Sequence, residues 1–546
     1  MFRVRCDGVI ALSLLAEAAG GVVDGEGDVD IARLCLDSRR ASPGELFVAI
    51  GEGPAAVQHV HEAVARGAVA ACVSREAATH LRNASVALLV VEDPRAVLGK
   101  MSAAFHGNPA RAMQLIGVTG TLGKTSTAAL IQAAYPAASG GRGIGVVGSL
   151  GASVAGGGEG NHLPQLGGMT TPDAPELHAA LRAMRDEGVR LVAMEVTSHA
   201  LAQGRVEGLS YSLGVITNLV PDEHLEFHGT AGNYLRTKAR FLDYLEPAAP
   251  LVVNADDPLV LDMASRRRSP SGALVGVTLD DAGVPRCSMR VRCDALATVR
   301  DVRWDVSGSR FTLHVPESLP LMQGGTLPGT EIPIALPLLG IQHATNAAIA
   351  SITALVAGAS GAEVAEGLAR AEPVRRRMQI LRAADPCVID DTTGNPEALQ
   401  AVFTTIRAIP RSALRIVFGL RGSRGTEINA RLAKSLAALV LERAAAEPVT
   451  LVVTGCDDVS PSRERVTDEE RDAALQVLRP ALDSVGLHTS LVYMFEPALT
   501  QAIERALRGV RREDLVLLLG TQAMDGAAGL TDALLRSSGA PGRKPG

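Results

Sequence analysis

Residues 117–126 read Gly-Val-Thr-Gly-Thr-Leu-Gly-Lys-Thr-Ser, a run suited to holding a nucleoside triphosphate. Gly120 and Gly123 let backbone amides turn toward anionic oxygens with no Cβ in the way. Lys124 can reach the β- and γ-phosphates, and Thr125 can offer a hydroxyl to Mg²⁺. Thr121 and Ser126 complete the polar side of the loop. Gly120 stands closer to Gly123-Lys124 than the commoner spacing asks, although counting from Gly117 nearly recovers it. The plain alternative is a glycine-bearing turn that binds nothing. The flanks argue against it: an apolar run, Met113 to Val118, enters the loop, and a helical stretch, Lys124 through Ala134, leaves it. That strand–loop–helix context is the one a phosphate loop needs, and the helix start adds unpaired N–H groups and a partial positive charge.

Other residues could complete such a site. Glu195 ends the apolar run Leu191-Val192-Ala193-Met194, and an acid at the carboxyl end of a strand beside a phosphate loop is well placed to hold Mg²⁺. His199 either orients neighbouring ligands or is a satisfied structural histidine. Residues 218–228, Asn-Leu-Val-Pro-Asp-Glu-His-Leu-Glu-Phe-His, are dense in potential ligands. His224 could bind a metal through one imidazole nitrogen, with Asp222, Glu223 and Glu226 accepting hydrogen bonds around it. The spacing is not His-Glu-x-x-His, so Mg²⁺ suits it better than hydrolytic zinc. A merely polar loop is the alternative. Lys238 follows Tyr234 by one helical turn and shares its face. A lone lysine there is ordinarily a solvated charge.

These groups need strands and helices to carry them. Leu46–Ile50, Ala68–Val73 and Ala87–Val91 read as strands, and Val57–Arg66 and Arg95–Phe105 as helices, so residues 1–112 form a small α/β domain. Residues 113–335 hold the phosphate loop. Their strand-like runs Gly143–Val147, Leu191–Val196, Leu213–Thr217 and Leu251–Asn254 alternate with helices such as Glu176–Glu187 and Asn233–Leu245. This alternation predicts a mostly parallel sheet with helices on both faces. Residues 150–168 are Gly-rich and aperiodic and predict a mobile or ligand-ordered loop, and 298–318 alternate as antiparallel edge strands do. Residues 336–546 form a second parallel α/β unit, opening with a helix over Asn346–Val356. Its strands are Cys387–Asp390, Leu414–Phe418, Val449–Thr454, Leu491–Met494 and Leu515–Leu519. The Gly-, Pro- and base-rich tail Ser537–Gly546 predicts disorder.

Composition narrows the class. With 546 residues the chain exceeds what one core holds. A hydrophobic fraction of 47% with 21% charged residues is that of a folded globular protein. The net charge of −6, with no long basic tract, argues against nucleic acid as a partner. Seven cysteines without a CxxC pair fit a reducing compartment rather than a disulfide scaffold or structural zinc. Arg3 and Arg5 precede the apolar run Val9–Ala16, but acids follow quickly, so the run reads as a first helix rather than a signal peptide. No stretch has the apolar length of a membrane span, and the cytoplasm is the expected location. The oligomeric state is left open.

Taken in order, these motifs resemble the Mur ligase family, ATP-dependent ligases that build the cell-wall peptide stem, and most nearly the branch that adds the third amino acid to a UDP-N-acetylmuramoyl dipeptide. The resemblance rests on Leu36-Asp-Ser-Arg39 with Pro43-Gly-Glu-Leu-Phe-Val-Ala49, the phosphate loop, and Thr170-Thr-Pro172. It continues through Met194-Glu-Val-Thr-Ser-His-Ala200, His224-Leu-Glu-Phe-His-Gly-Thr230, Tyr234-x-x-x-Lys238 and Asn254-Ala-Asp-Asp-Pro258. It implies an α/β protein of three domains: an N-terminal UDP-substrate domain, a central ATPase-like phosphate-loop domain, and a Rossmann-like C-terminal domain that closes over ATP. It implies that Lys124 binds the triphosphate, that Thr125 and Glu195 hold one Mg²⁺, and that His224 and a carbamylated Lys238 hold another. It implies that Ser38 and Arg39 face the uridine end, and that Thr170, Thr171 and Arg205 face the sugar–phosphate or peptide portion. Asn346, Arg377, Asp390 and Asp391 would contact the nucleotide. The partners implied are small molecules: ATP, a UDP-linked peptide or other acid, and an amino acid or amine.

The departures gather where the acceptor should be read. The branch carries Asp-Asn-Pro-Arg there, and this chain has Thr454-Gly-Cys-Asp-Asp-Val-Ser-Pro-Ser-Arg463. Arg463 is the sequence's substitute for the missing arginine, on another spacing, and an arginine fork reads a carboxylate geometrically. Asp390-Asp-Thr-Thr-Gly-Asn-Pro396, Gly419-Leu-Arg-Gly-Ser-Arg424 and Gly520-Thr-Gln-Ala-Met-Asp525 depart as well. A cell-wall ligase, a paralogue joining another acid and amine, and a nucleotide-binding scaffold all remain open at this point.

Overall fold

Three sheets, one in each third of the chain, carry the architecture. The structure is a computed structural model that describes residues 8–25, 28–81, 85–135, 143–155, 163–164, 166, 168–267, 272–281, 284–285, 293–423, 425–460, 465–483 and 491–537. The first sheet has five strands in the order Val22–Asp24, Ala87–Val91, Ala70–Ser74, Glu45–Val48, Arg33–Cys35. Only its first pair is antiparallel.

The central sheet has eleven strands. Its parallel heart runs Gly145–Gly148, Leu191–Glu195, Gln114–Thr119, Leu213–Ile216, Leu251–Asn254, Leu274–Asp281, Ala295–Asp305. Most of these strands are short, nearly continuous apolar runs, because both faces are covered by helices. Gly308–Val315 and Thr330–Leu336 extend the sheet antiparallel. In Thr330–Leu336 only Ile332, Ile334 and Leu336 are buried, the alternation of a half-exposed strand.

The third sheet orders its six strands Gln379–Arg382, Cys387–Asp391, Leu515–Leu519, Leu414–Gly419, Val449–Thr454, Leu491–Glu496, all parallel except the first pair. Helices Pro396–Ile406, Thr426–Ala444 and Asp468–Asp483 pack on one face, Leu499–Leu507 and Ala527–Ser537 on the other. Strand Leu515–Leu519 therefore sits where the connections change faces, and a crevice opens at the carboxyl ends around it.

Several expectations shift. The third unit, expected from residue 336, yields its first helices to the centre. Helix Ile341–Val356 is buried almost all round, and Ala344, Ile349 and Leu355 share one core with Ile116, Leu130 and Val252. Val364 and Leu368 of helix Gly361–Ala369 join the same core. A helix apolar on every side must be covered on every side, and only the central sheet with helix Lys124–Ala134 does that. Within the stretch expected to be a glycine-rich loop, Gly151–Val154 pairs antiparallel with Gly145–Gly148, while much of the remainder lies outside the described residues. The helix expected over Asn233–Leu245 is an α-helix, Ala231–Ala239, followed by a 3₁₀ turn, Arg240–Tyr244. The N-terminal run forms a short strand, Ile10–Ala11, before its helix, Leu12–Ala19. The tail beyond Ser537 lies outside the described residues. Among those residues no helix is long and apolar enough to cross a membrane.

Candidate active site

The phosphate loop leaves strand Gln114–Thr119 between two parallel neighbours, with Glu195 level with Val118 on one side and Ile216 level with Thr119 on the other. Gly120 has φ +143° and Gly123 φ +81°. A side chain at Gly120 would collide with Thr217 Oγ1, and a Cβ at Gly123 would lie 2.6 Å from Asn346 Oδ1. The loop is thus a tight backbone cradle pressed between a strand end and the helix Ile341–Val356. Gly123 caps helix Lys124–Ala134 without a side-chain hydrogen bond, which leaves first-turn amides facing the loop.

Two lysines converge on one carbonyl. Lys124 Nζ donates to Gly120 O at 2.8 Å and Thr121 O at 2.9 Å. Lys238 Nζ donates to the same Gly120 O at 2.6 Å and to Thr119 Oγ1 at 3.3 Å. Lys238 is only 2% exposed, so it is no solvated charge. Burial, and then the charge of Lys124, push its amine well below the usual lysine range. Burial also lowers Lys124, while Glu195 pulls it back up.

Glu195 is buried and fully engaged. Its carboxylate accepts from Thr125 Oγ1 at 2.9 Å and Ser149 N at 2.7 Å. Burial raises its proton affinity and Lys124 opposes that. There is no room for a side chain at Gly148, where a Cβ would meet Glu195 Oε1. Ser149 Oγ donates to Thr170 Oγ1 at 3.0 Å, and Thr171 Oγ1 donates to Glu195 O at 2.9 Å. Arg205 Nη1 donates to Thr171 O at 2.8 Å, and its Nε lies 3.1 Å from Asp173 Oδ1. Thr170, Thr171 and Arg205 are therefore one wall continuous with the acid.

The segment after strand Leu213–Ile216 is clamped to the loop. Asn218 takes Leu122 N on Oδ1 at 2.8 Å and gives Nδ2 to Leu122 O at 2.9 Å. Thr121 Oγ1 accepts from Val220 N at 2.8 Å and pairs with Tyr234 OH at 2.7 Å. His224 has φ +58°, a left-handed turn that aims its ring back toward the cleft. It packs edge-on against His199, ring centroids 4.8 Å apart. Burial and the neighbouring imidazoles hold His199 down at about 4, which keeps it neutral.

These residues line one side of a cleft of about 700 Å³. Ser126 is on the same wall. Asn346 and, from the third unit, Arg377 and Asp391 line the other side. Burial raises Asp391 to about 6 against the pull of Arg377, and its Oδ2 accepts from Met378 N at 2.6 Å. Asp390 does not line the cleft; it is buried against Arg376, with Nε 3.2 Å from Oδ1. Ser38 and Arg39 sit apart in the first unit, where Ser38 Oγ donates to Glu62 Oε2 at 2.7 Å and Arg39 forks onto Asp37. Arg463 lies outside the described residues. Sequence reading missed Ser149, Gln342, Arg421 and Thr521, all of which line the cleft. Three of them follow the carboxyl ends of the strands Gly145–Gly148, Leu414–Gly419 and Leu515–Leu519, the places where parallel sheets bind ligands.

Comparisons with known proteins agree with this geometry. Residues 118–354 match the Mur ligase middle domain and 376–522 the Mur ligase glutamate ligase domain. The UDP-N-acetylmuramoyl-L-alanyl-D-glutamate–2,6-diaminopimelate ligase of Xanthomonas campestris is 35% identical over 73% of this chain and 74% of its own length. The enzyme of that name from Chlorobaculum tepidum is 32% identical over 94% of this chain and 91% of its own. MurF from Acinetobacter baumannii shares the fold with a TM-score of 0.63 at 19% identity, covering 97% of this chain and 99% of that one. A Mycobacterium tuberculosis folylpolyglutamate synthase complexed with ADP and AMPPCP superposes with a TM-score of 0.56 at 18% identity, over 82% and 95%. With its phosphate loop in a three-domain α/β frame and relatives of this identity along most of its length, the chain belongs to the Mur ligase family of ATP-dependent, amide-bond-forming ligases.

Proposed function

We propose that this ligase activates the carboxylate of a UDP-N-acetylmuramoyl peptide, or a closely similar acid, with ATP and joins it to an amino acid. The observation that carries the reading is the meeting of Lys124 and Lys238 at Gly120 O beside the Thr125–Glu195 pair. Two amines, one carboxylate and one hydroxyl converge on a backbone cradle, the set that phosphoryl transfer to an acid requires.

In this reading the amides of Gly120, Thr121 and Gly123 and the Lys124 ammonium hold the triphosphate, with Thr125 and Ser126 at the helix start. Asn346, Arg377 and Asp391 meet the nucleotide from the opposite wall. Asp390 acts from behind, by fixing Arg376 next to Arg377. Thr170, Thr171 and Arg205 hold the acid near Glu195, and Ser38 and Arg39 take its uridine end. An oxygen of the acid attacks the γ-phosphorus, the bond to ADP breaks, and an acyl phosphate forms. The neutral amine of the amino acid then adds to the carbonyl, and phosphate leaves as the amide closes. Third-unit residues over the cleft exclude water that would hydrolyse the acyl phosphate.

Mg²⁺ fits the donors present. A hard cation takes oxygen ligands shared with phosphates rather than an all-protein cage, and among the described residues no three His, Cys, Asp or Glu side chains cluster into one. Thr125 and Glu195 would hold one ion, and His224 with a carbamate on Lys238 a second, which together would offset charge on the transferring phosphoryl group. The depressed Lys238 amine supports the carbamate. A neutral amine adds to CO₂, forming an N–C bond and releasing a proton, and exchanges a buried cation for an anion.

The test is release of ADP and phosphate across a panel of UDP-N-acetylmuramoyl peptides and simple acids against amino acids. Release that needs both acid and amine supports the proposal. Tight ATP binding with no release under any pair points to a nucleotide-binding scaffold, and amine-independent release to a simple ATPase. One observation favours a paralogue with a different acceptor from the diaminopimelate of the relatives' names. At the third sheet's strand ends, Cys456 Sγ and Met524 Sδ pack 3.6 Å apart beside Gly419, an apolar filling.

A further inference from the structure

An amino acid entering this cleft brings a carboxylate as well as its amine, and that carboxylate needs a cation. Five cationic side chains line the cleft among the described residues: Lys124, Lys238, Arg205, Arg377 and Arg421. The first two share Gly120 O on the loop. Arg205 is held by Thr171 O and Asp173 on the wall that carries Thr170 and Thr171. Arg377 lies close enough to Lys124, Glu195 and Asp391 to act on all three electrostatically, which puts it over the phosphate loop. Arg421 is the cation left on the third unit's side.

Its surroundings are built rather than incidental. Arg421 follows strand Leu414–Gly419, next to the central strand Leu515–Leu519 where the crevice opens. Its backbone is locked by Asn429, fully buried on the following helix: Arg421 N donates to Asn429 Oδ1 at 3.0 Å, and Asn429 Nδ2 donates to Arg421 O at 2.7 Å. Its Nη1 donates to Gly394 O at 2.9 Å. A Cβ on Gly394 would come within 3.1 Å of that nitrogen and 3.5 Å of Thr521 Cγ2, so the glycine lets the guanidinium lie flat across the strand ends. A guanidinium fixed at both ends, with further donors in its fork, is suited to a carboxylate.

We propose that Arg421 receives the carboxylate of the incoming amino acid and so sets acceptor specificity, in the place that the sequence alone assigns to Arg463. This rests on the ligase reading above. The experiment measures phosphate release by the full-length protein with 2,6-diaminopimelate, L-lysine, L-alanine and D-alanyl-D-alanine, and with L-lysinamide and L-alaninamide, which lack the carboxylate. Arg421→Ala is expected to raise the KM of the accepted amino acid about 10- to 100-fold, in line with loss of a charge-assisted fork. The KM for ATP should move less than about twofold, and the preference for the free acid over its amide should vanish. Arg421→Lys keeps the charge without the fork and should fall between. If Arg421→Ala keeps its acceptor KM and still rejects the amides, Arg421 is not the acceptor cation, whatever the ligase does. If the unaltered protein releases phosphate with none of these acceptors, the ligase reading falls and Arg421's role with it. An ATP-induced thermal shift equal to that of the unaltered protein shows that the variant is folded.

Discussion

The central and third units are built alike, as parallel sheets with helices on both faces, yet they hold their functional groups in opposite ways. In the centre the polar groups come from strand ends a few residues from their motifs and bond to one another around Gly120 and Glu195. In the third unit the charged groups that reach the cleft are set by partners far along the chain. Arg376, one residue from Arg377, donates to Asp390, to Thr521 O at 2.6 Å, to Gly520 O at 2.7 Å and to Asp525. A local site keeps its chemistry when sequence drifts around it. A site assembled from distant loops can be re-aimed by changing any one of them, which suits the part of a ligase that selects a partner.

The largest break should come at the centre. Lys124→Ala removes the cation from the triphosphate cradle, and loss of one preorganised charge-stabilising donor costs about 10²–10³ in kcat. Steady-state phosphate release with a saturating acid and amine measures it, and near-normal turnover would remove Lys124 from the chemistry. Lys238→Ala should lose activity comparably and recover part of it with added short carboxylates. Unrescued but full activity would argue against the carbamate.

The next effect is structural and belongs to the third unit. Arg376 is 4% exposed and Asp390 1%. Arg376→Ala strands a buried carboxylate, and breaking a buried pair from one side costs about 3–5 kcal/mol. Arg376 also has φ +56°, so Arg376→Gly should be the milder change by about 1 kcal/mol, since glycine alone adopts that backbone freely. Urea unfolding of the two variants separates the lost guanidinium from the relieved backbone. Equal stabilities would mean that the left-handed turn costs nothing here.

The same contrast explains what the sequence disclosed. Strand–loop–helix around Gly120, Glu195 at a strand end, and Tyr234 with Lys238 on one face are local patterns, and each group lands on the cleft as its spacing implied. The fate of helix Ile341–Val356 was not legible, because its apolar surface says that it is buried but not against which sheet. Arg376 sits in a basic run, Arg375-Arg-Arg377, that reads as a solvated patch. Only the fold brings Asp390, 14 positions on, and Asp525, 149 positions on, beneath it. Arg421 was equally hidden, since its role depends on Gly394 and Asn429 arriving from either side.

A smaller, pH-linked effect sets the central unit's junction with the first against the third unit's cleft. His178 on helix Ala174–Asp186 and His106 beyond helix Pro94–Phe105 are held by burial at about 3 and about 4, below the ordinary 6.5. Depressed histidines are neutral when folded and protonate first when unfolded. Their contribution is therefore whole above pH 6.5 and drains as pH falls toward 4, by about 1.4 kcal/mol per unit for each group. Asp391 runs the other way. Burial raises it to about 6, so its contribution is whole below the unfolded value of 3.8 and is lost as pH rises through 6. Urea midpoints between pH 7 and 4 should fall overall, because two groups oppose one. His178→Leu should flatten that limb, and Asp391→Asn should steepen it. A limb unchanged by His178→Leu would place the acid lability elsewhere.

The least effect is expected where the two units touch at the surface. Arg431, on helix Thr426–Ala444, lies 3.2 Å from Asp222 on the segment clamped to the phosphate loop, with side chains 35% and 51% exposed. Pairs this open are worth about 0.2–1 kcal/mol and fade with salt. Elsewhere the units are joined by Trp304 Nε1, which donates to Thr405 O at 2.9 Å, and by Thr405 Oγ1, which donates to Gln342 Oε1 at 2.9 Å. Those partly buried contacts should govern how the units sit together, with the ion pair as a trim. Arg431→Ala should then change kcat/KM by no more than about fivefold at low salt, and not at all near 1 M. The paired reversal Asp222→Arg with Arg431→Asp should restore it. A loss beyond tenfold that survives high salt would instead mean that the third unit positions the His224 segment directly, and that the two units are less separable than their architecture suggests.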